Sequence, residues 1–165
     1  MTNPRPHPSA AAIIAALQLE PLPNEGGYFR ATYLSTATLP GGRSAGSAMS
    51  FLLTPEGFSA LHALSTEELW HFYAGDPVEH LGLDPATGNG FKTLLGSAVL
   101  DGQSPQWTVA GGTWQGARLA SGGRWALLGC TMSPGWDQRG FVLGVRTELT
   151  ARFPNWAAEI RELTR

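Results

Sequence analysis

The sequence predicts an all-β domain with a short helix at each end. Three observations point there. From Tyr28 to about Val145, short runs rich in Thr, Val, Phe, Trp and Tyr alternate with turn residues. The turns recur roughly every 8–20 residues, as in a sandwich or barrel. No helical pattern of useful length interrupts this block, which argues against a parallel sheet built from βαβ units.

The elements follow in chain order. Residues 1–8 hold three prolines and read as a loose tail. A helix is expected over 9–20: Ser9 suits its N-cap, and Ile13, Ile14 and Leu17 share one face. Pro21 and Pro23 end it. The β body, 28–146, divides at Pro40-Gly41-Gly42, Pro55-Glu56-Gly57, Gly75-Asp76-Pro77, Asp84 to Gly90, Asp101-Gly102, Gly111-Gly112, Gly122-Gly123 and Pro134-Gly135. Strands are expected at 28–38, 47–53, 58–64, 68–74, 77–83, 91–95, 105–110, 113–119, 124–132 and 141–146. The last element is a helix over 155–164, with Asn155 as cap and Trp156, Ile160 and Leu163 on one face. Both helices are amphipathic and are expected on the outside of the β body.

Composition narrows the function classes. The 165 residues make one domain, able to bury a core without disulfides or a structural metal. Charged residues are 15%, and 21 glycines and 12 prolines take up the difference from the usual quarter. With 11 basic and 13 acidic residues the net charge is −2, so there is no basic footprint for nucleic acid. No apolar run approaches a membrane span, and no signal peptide is read. A single cysteine, Cys130, rules out an internal disulfide framework. The expectation is a soluble cytoplasmic protein.

The chemistry is concentrated in Gly57 to Gly75, where two strands flank a Ser65-Thr66 turn. Alternation puts Glu68, Trp70 and Phe72 on one face and Leu69, His71 and Tyr73 on the other. On the preceding strand His62 and Leu64 share a face, so a histidine and a glutamate can converge on one pocket. The spacing from Glu68 to Gly75 is that of the first cupin motif, with His62 at its first histidine and Leu64 at its second. Ala110 to Gln115 resembles the second motif, with Gln115 where its histidine belongs. The match is closer to small single-domain cupins of unknown function. It is carried by Glu25 to Arg30, Glu68 to Gly75, Gly112 to Gln115, Gly129-Cys130-Thr131 and Ser133 to Trp136. Asn24 departs from that branch, which commonly has histidine there.

The resemblance implies a double-stranded β-helix, the cupin jelly roll, with a pocket inside the barrel and a homodimer as the common state. It cannot by itself assign a function. A typical cupin metal site offers three histidines and a glutamate. Here the aligned residues are His62, Glu68 and Gln115, with apolar Leu64 fourth, a poor donor set for a transition metal. No cofactor is therefore expected, and a divalent metal on those three residues is the alternative. Without metal, His62 can act as base and Glu68 as acid or as the group orienting its ring. Gln115 or Arg118 could stabilise a developing oxyanion, and Tyr28, Trp70 and Trp114 could stack on a ligand. Arg30 either reaches an anionic ligand group or pairs with Glu25 or Glu68.

Of the other titratable residues, His7 is expected in solvent and His80 at an exposed or interface position. Cys130 is read as a small buried hydrophobe. The leading function is binding of a small polar ligand, with metal-independent isomerase or epimerase chemistry on a sugar-like substrate as its enzymatic form. The rivals are a metal-dependent enzyme and a non-catalytic binding or storage module.

Overall fold

The computed structural model describes residues 8–165. The expected tail, and His7 in it, lie outside the described residues except for Pro8.

Helix α1, Ala10–Leu17, begins where Ser9 accepts a hydrogen bond from the Ala12 amide. It ends where Gln18 turns left-handed, short of Pro21. Eleven strands follow: β1 Glu20–Pro21, β2 Tyr28–Leu34, β3 Ser47–Leu53, β4 Ser59–Leu64, β5 Glu68–Gly75 and β6 Val78–Leu83 come first. Then come β7 Gly90–Leu95, β8 Gln106–Val109, β9 Trp114–Leu119, β10 Ala126–Met132 and β11 Phe141–Leu143. They form a six-stranded sheet, β1-β2-β3-β10-β5-β8, and a five-stranded sheet, β11-β4-β9-β6-β7. The strand pairs are antiparallel. From β3 to β6 the chain changes sheet at every step, and it does so again from β7 to β11. This is the expected jelly roll.

Alternation decides what each sheet buries. On β3, Phe51 and Leu53 point between the sheets, and Leu52 points outward beneath α1. On β6, Val78 faces inward, whereas Leu81 and Leu83 face a second outer cluster. Strands covered on both faces are apolar at successive positions, which hides the period of two in the sequence. Two C-terminal helices, α2 Arg146–Arg152 and α3 Ala157–Glu162, cover Leu61, Leu81 and Leu83 with Leu149, Phe153, Ile160 and Leu163. The helices therefore lie outside the β body, as expected, and the space between the sheets is left to side chains and a cavity.

Three boundaries differ. The strand expected over 28–38 stops at Leu34, and the one expected over 141–146 stops at Leu143. Gly144 then donates to the Leu61 carbonyl and the chain turns into α2, an element the apolar run Phe141 to Val145 conceals. Asn155 does not cap α3: it sits in a 3-10 turn, Pro154–Trp156, without a side-chain cap bond.

Gly75 closes β5 at φ +101°, and a Cβ there would lie 2.3 Å from the Trp125 carbonyl oxygen. Both strain and collision therefore oppose a side chain. Gly75→Ala is expected to destabilise the fold by about 3 kcal/mol in chemical denaturation. A loss below about 0.5 kcal/mol would show that this corner is not constrained as described.

Candidate functional site

A cavity of about 610 Å³ opens between the two sheets. Its walls are largely apolar, with Phe29, Met49, Leu64, Met132 and Phe141 among them. Its acidic and basic lining residues are Glu25, His62 and Glu68, which are 8%, 2% and 5% exposed.

Each is placed by local structure. Glu68 starts β5, with an inward parity it shares with Trp70. His62 lies on β4 of the opposite sheet, in register with Gln115 of β9 and Leu143 of β11. Its ring stacks on Phe141 at 5.3 Å between centroids. Its Nδ1 lies 2.8 Å from the Ala60 carbonyl oxygen, which can only accept, so Nδ1 carries the hydrogen. Glu25 is on the turn before β2, where Gly26 and Gly27 both have positive φ. A Cβ on Gly27 would meet the Phe51 ring at 2.7 Å, so the turn presses directly on the core. Ser59 donates to Glu25 Oε1 at 2.7 Å, and Arg165 donates to the carbonyls of Asn24 and Glu25.

Behind Glu68 lies a closed polar network. Gln115 Nε2 donates to Glu68 Oε2 at 2.8 Å. Gln115 Oε1 accepts from Trp70 Nε1 at 2.9 Å and from His80 Nε2 at 3.3 Å. Trp70 and His80 are fully buried, with their rings edge to face at 5.3 Å. His80 Nδ1 has no hydrogen-bond partner.

Burial raises the Glu68 carboxyl to about 7. The His62 charge opposes that rise, the Glu25 charge adds to it, and the bonds from Gln115 and Trp70 oppose it. Burial lowers His80 to about 4, so its ring is neutral at pH 7. Burial also pushes the Cys130 thiol well up, with Glu68 and Glu25 adding to the effect, so it is a poor nucleophile.

Several sequence-predicted residues lie elsewhere. Trp70 and Gln115 are not among the lining residues: they sit directly behind the cavity wall, where Gln115 gives an amide hydrogen to Glu68 and its oxygen accepts from Trp70 and His80. Trp114 and Arg118 have the opposite parity to Gln115 on β9. Trp114 packs under the C-terminal helices, and Arg118 pairs with Glu79 and Glu162 on the outer face. On β2, Phe29 faces the cavity, Tyr28 packs beside α1, and Arg30 points outward to Gln18 Oε1 at 3.0 Å. Arg30 thus pairs with neither Glu25 nor Glu68. His80 is buried, not exposed, because it shares the inward parity of Val78. Glu25 is the site residue that strand patterning misses. Its signal in the sequence is the glycine pair that follows it.

The comparisons with known proteins agree with this architecture. The family model described as "Cupin superfamily (DUF985)" matches residues 11–144. The chain belongs to this family of cupins. A crystal structure of a protein from Shewanella oneidensis superposes with a TM-score of 0.89 at 31% identity, covering 96% of this chain and 98% of that one. A hypothetical protein from Leishmania major gives 0.87 at 32% identity, covering 95% and 99%. Oxalate decarboxylase from Bacillus subtilis gives 0.56 at 17% identity over 89% of this cupin and 38% of that chain, a likeness of fold alone. No curated protein matches the sequence. No helix among the described residues is long and apolar enough to cross a membrane.

Cupins often hold a metal, and the donors of this cupin do not fit one. The aligned positions are His62, Leu64, Glu68 and Gln115. Leu64 has no donor atom, and the Gln115 oxygen already accepts two hydrogen bonds. Among the described residues, no three His, Cys, Asp or Glu side chains group as a metal site requires.

The two shifted groups act oppositely on stability. Glu68 binds its proton more tightly when folded, so its contribution is full below about pH 4.5 and is lost as pH rises to about 7. His80 binds its proton less tightly when folded, so its contribution is present above about pH 6.5 and is lost as pH falls to about 4. Glu68→Gln removes only the first. Relative to wild type, the variant is expected to gain on the order of 3 kcal/mol between about pH 4.5 and 8. Denaturation curves that stay parallel across that range would contradict the Glu68 assignment.

Proposed function

We propose that the barrel cavity binds a small molecule with an apolar body, its polar head against Glu68 and His62, and that these residues exchange a proton with it. The observation that carries this reading is the position of Glu68. It is a buried carboxyl at the cavity wall, raised by burial to the neutral range, with a histidine from the opposite sheet beside it. A group that is partly protonated at neutral pH both accepts and donates a proton with little cost. His62, with Nδ1 held by the Ala60 carbonyl, offers Nε2 as the second site. A proton removed from a ligand by one and returned by the other leaves atoms and charge balanced without metal or redox partner. That is the chemistry of an isomerase or epimerase. The apolar walls favour a ligand body less polar than a sugar.

A homodimer belongs to the same reading. A second copy would cover exposed apolar residues such as Tyr33 and Leu34 at the cavity and Tyr73, which are 56%, 65% and 56% exposed.

The test is a thermal-shift screen of small molecules, followed by calorimetry in buffers of different ionisation enthalpy. Binding is expected to be lost in Ala48→Trp, which fills the cavity wall, and to weaken at least about tenfold in Glu68→Gln. The wild-type heat should depend on the buffer and that of Glu68→Gln should not. Ligands that bind both variants as tightly as wild type would overturn the proposal.

A further inference from the structure

The walls of the cavity also indicate the charge of its ligand. We infer that the ligand head is an ammonium group, so that this cupin takes small amines with an apolar body. The inference rests on the cavity being the binding site, as proposed above.

The titratable acids and the histidine of the lining present acceptors. Glu25 and Glu68 accept hydrogen bonds when ionised, and neither then has a hydrogen to give. His62 has its Nδ1 engaged by the Ala60 carbonyl, so Nε2 is the ring nitrogen that faces the cavity, a lone pair whenever the ring is uncharged. Nε2 has no hydrogen-bond partner among the described residues, although His62 is 98% shielded from solvent. A ligand head must therefore bring donors. An ammonium group brings three, together with a positive charge.

Charge points the same way. Among the described residues, no Lys or Arg lines the cavity. The neighbouring arginines are committed elsewhere: Arg30 to Gln18, Arg43 to the Gly135 carbonyl and Thr66, Arg118 to Glu79 and Glu162, Arg139 to Asp137, and Arg165 to the carbonyls of Asn24 and Glu25. Two buried carboxyls thus face one space that no Lys or Arg among the described residues lines, and burial, opposed by the His62 charge and aided by that of Glu25, holds Glu68 high. A carboxylate head would add negative charge beside two carboxyls in a poorly solvated space, at a high cost. An ammonium head supplies the missing counter-charge. Its apolar body then meets Phe29, Met49, Leu64 and Phe141. Asn24 and Gln138, the lining amides, have donors and acceptors alike and do not change this balance.

The experiment compares three probes with one aryl body and different heads: phenethylamine, 2-phenylethanol and 3-phenylpropanoate. Calorimetry on the wild-type chain should find the amine at least about tenfold tighter than the alcohol, with no measurable binding of the carboxylate. Glu25→Gln and Glu68→Gln, with folding checked by thermal melting, should each reduce the amine's advantage about tenfold while leaving alcohol affinity nearly unchanged. An alcohol or carboxylate that binds as tightly as the amine overturns the inference, as does a failure of all three probes to bind. If such binding disappears in Ala48→Trp, the amine assignment alone fails and the cavity remains the site. If Ala48→Trp leaves binding of every probe intact, the cavity reading fails as well.

Discussion

The interior of this cupin depends on one side-chain amide. Gln115 stands where β9 of the five-stranded sheet faces β5 of the other, and it bonds across the gap in both directions. Trp70 and His80 donate to its oxygen, which leaves only its nitrogen for Glu68. The orientation of the amide is thereby determined, and with it the carboxyl oxygen that is held and the one left for the cavity. A typical buried hydrogen bond contributes about 1 kcal/mol, and one to a charged group about 2. The bond from Gln115 lowers the Glu68 carboxyl, but burial outweighs it and leaves the group near neutrality. A carboxyl in this balance is a proton-exchanging group; one paired with arginine would not be.

The same amide explains why a fold shared with oxalate decarboxylase does not carry over a mechanism. The backbone places His62, Glu68 and residue 115 around one space, as the cupin motifs imply. Chemistry follows from the donor atoms at those places. With an engaged glutamine and a leucine among them, the aligned residues are a poor donor set for a metal, and the cavity keeps Glu68 and His62 amid apolar walls. Glu25 adds a second acid from the turn that Gly26 and Gly27 make possible.

Much of this was legible in the sequence. Turn residues and β-rich runs mark most strands to within a residue or two, and alternation on β5 correctly sets Glu68 and Trp70 inward and His71 outward. The cupin spacing identifies His62, Glu68 and Gln115 as neighbours. What stayed hidden has physical causes. On β9 each face mixes polar and apolar residues, Gln115 with Ala117 and Leu119 on one and Trp114 with Arg118 on the other, so nothing in β9 alone tells that Trp114 packs under α2 and α3 while Gln115 points inward. The outward path of Arg118 depends on Glu162, a partner distant in sequence. His80 reads as surface because histidine is polar; only its bond to Gln115 makes its burial tolerable. Helix α2 follows an apolar strand without a capping side chain, so its start has no sequence signal.

The central claim is that Glu68 is a buried, cavity-facing acid poised near neutrality, and its own titration tests this most directly. The side-chain carboxyl carbon of Glu68, assigned by comparison with Glu68→Gln, can be followed by NMR across pH. A midpoint near 7 is expected. A midpoint near the ordinary 4.5 would mean that Glu68 is solvated or paired with a cation, and would contradict the account.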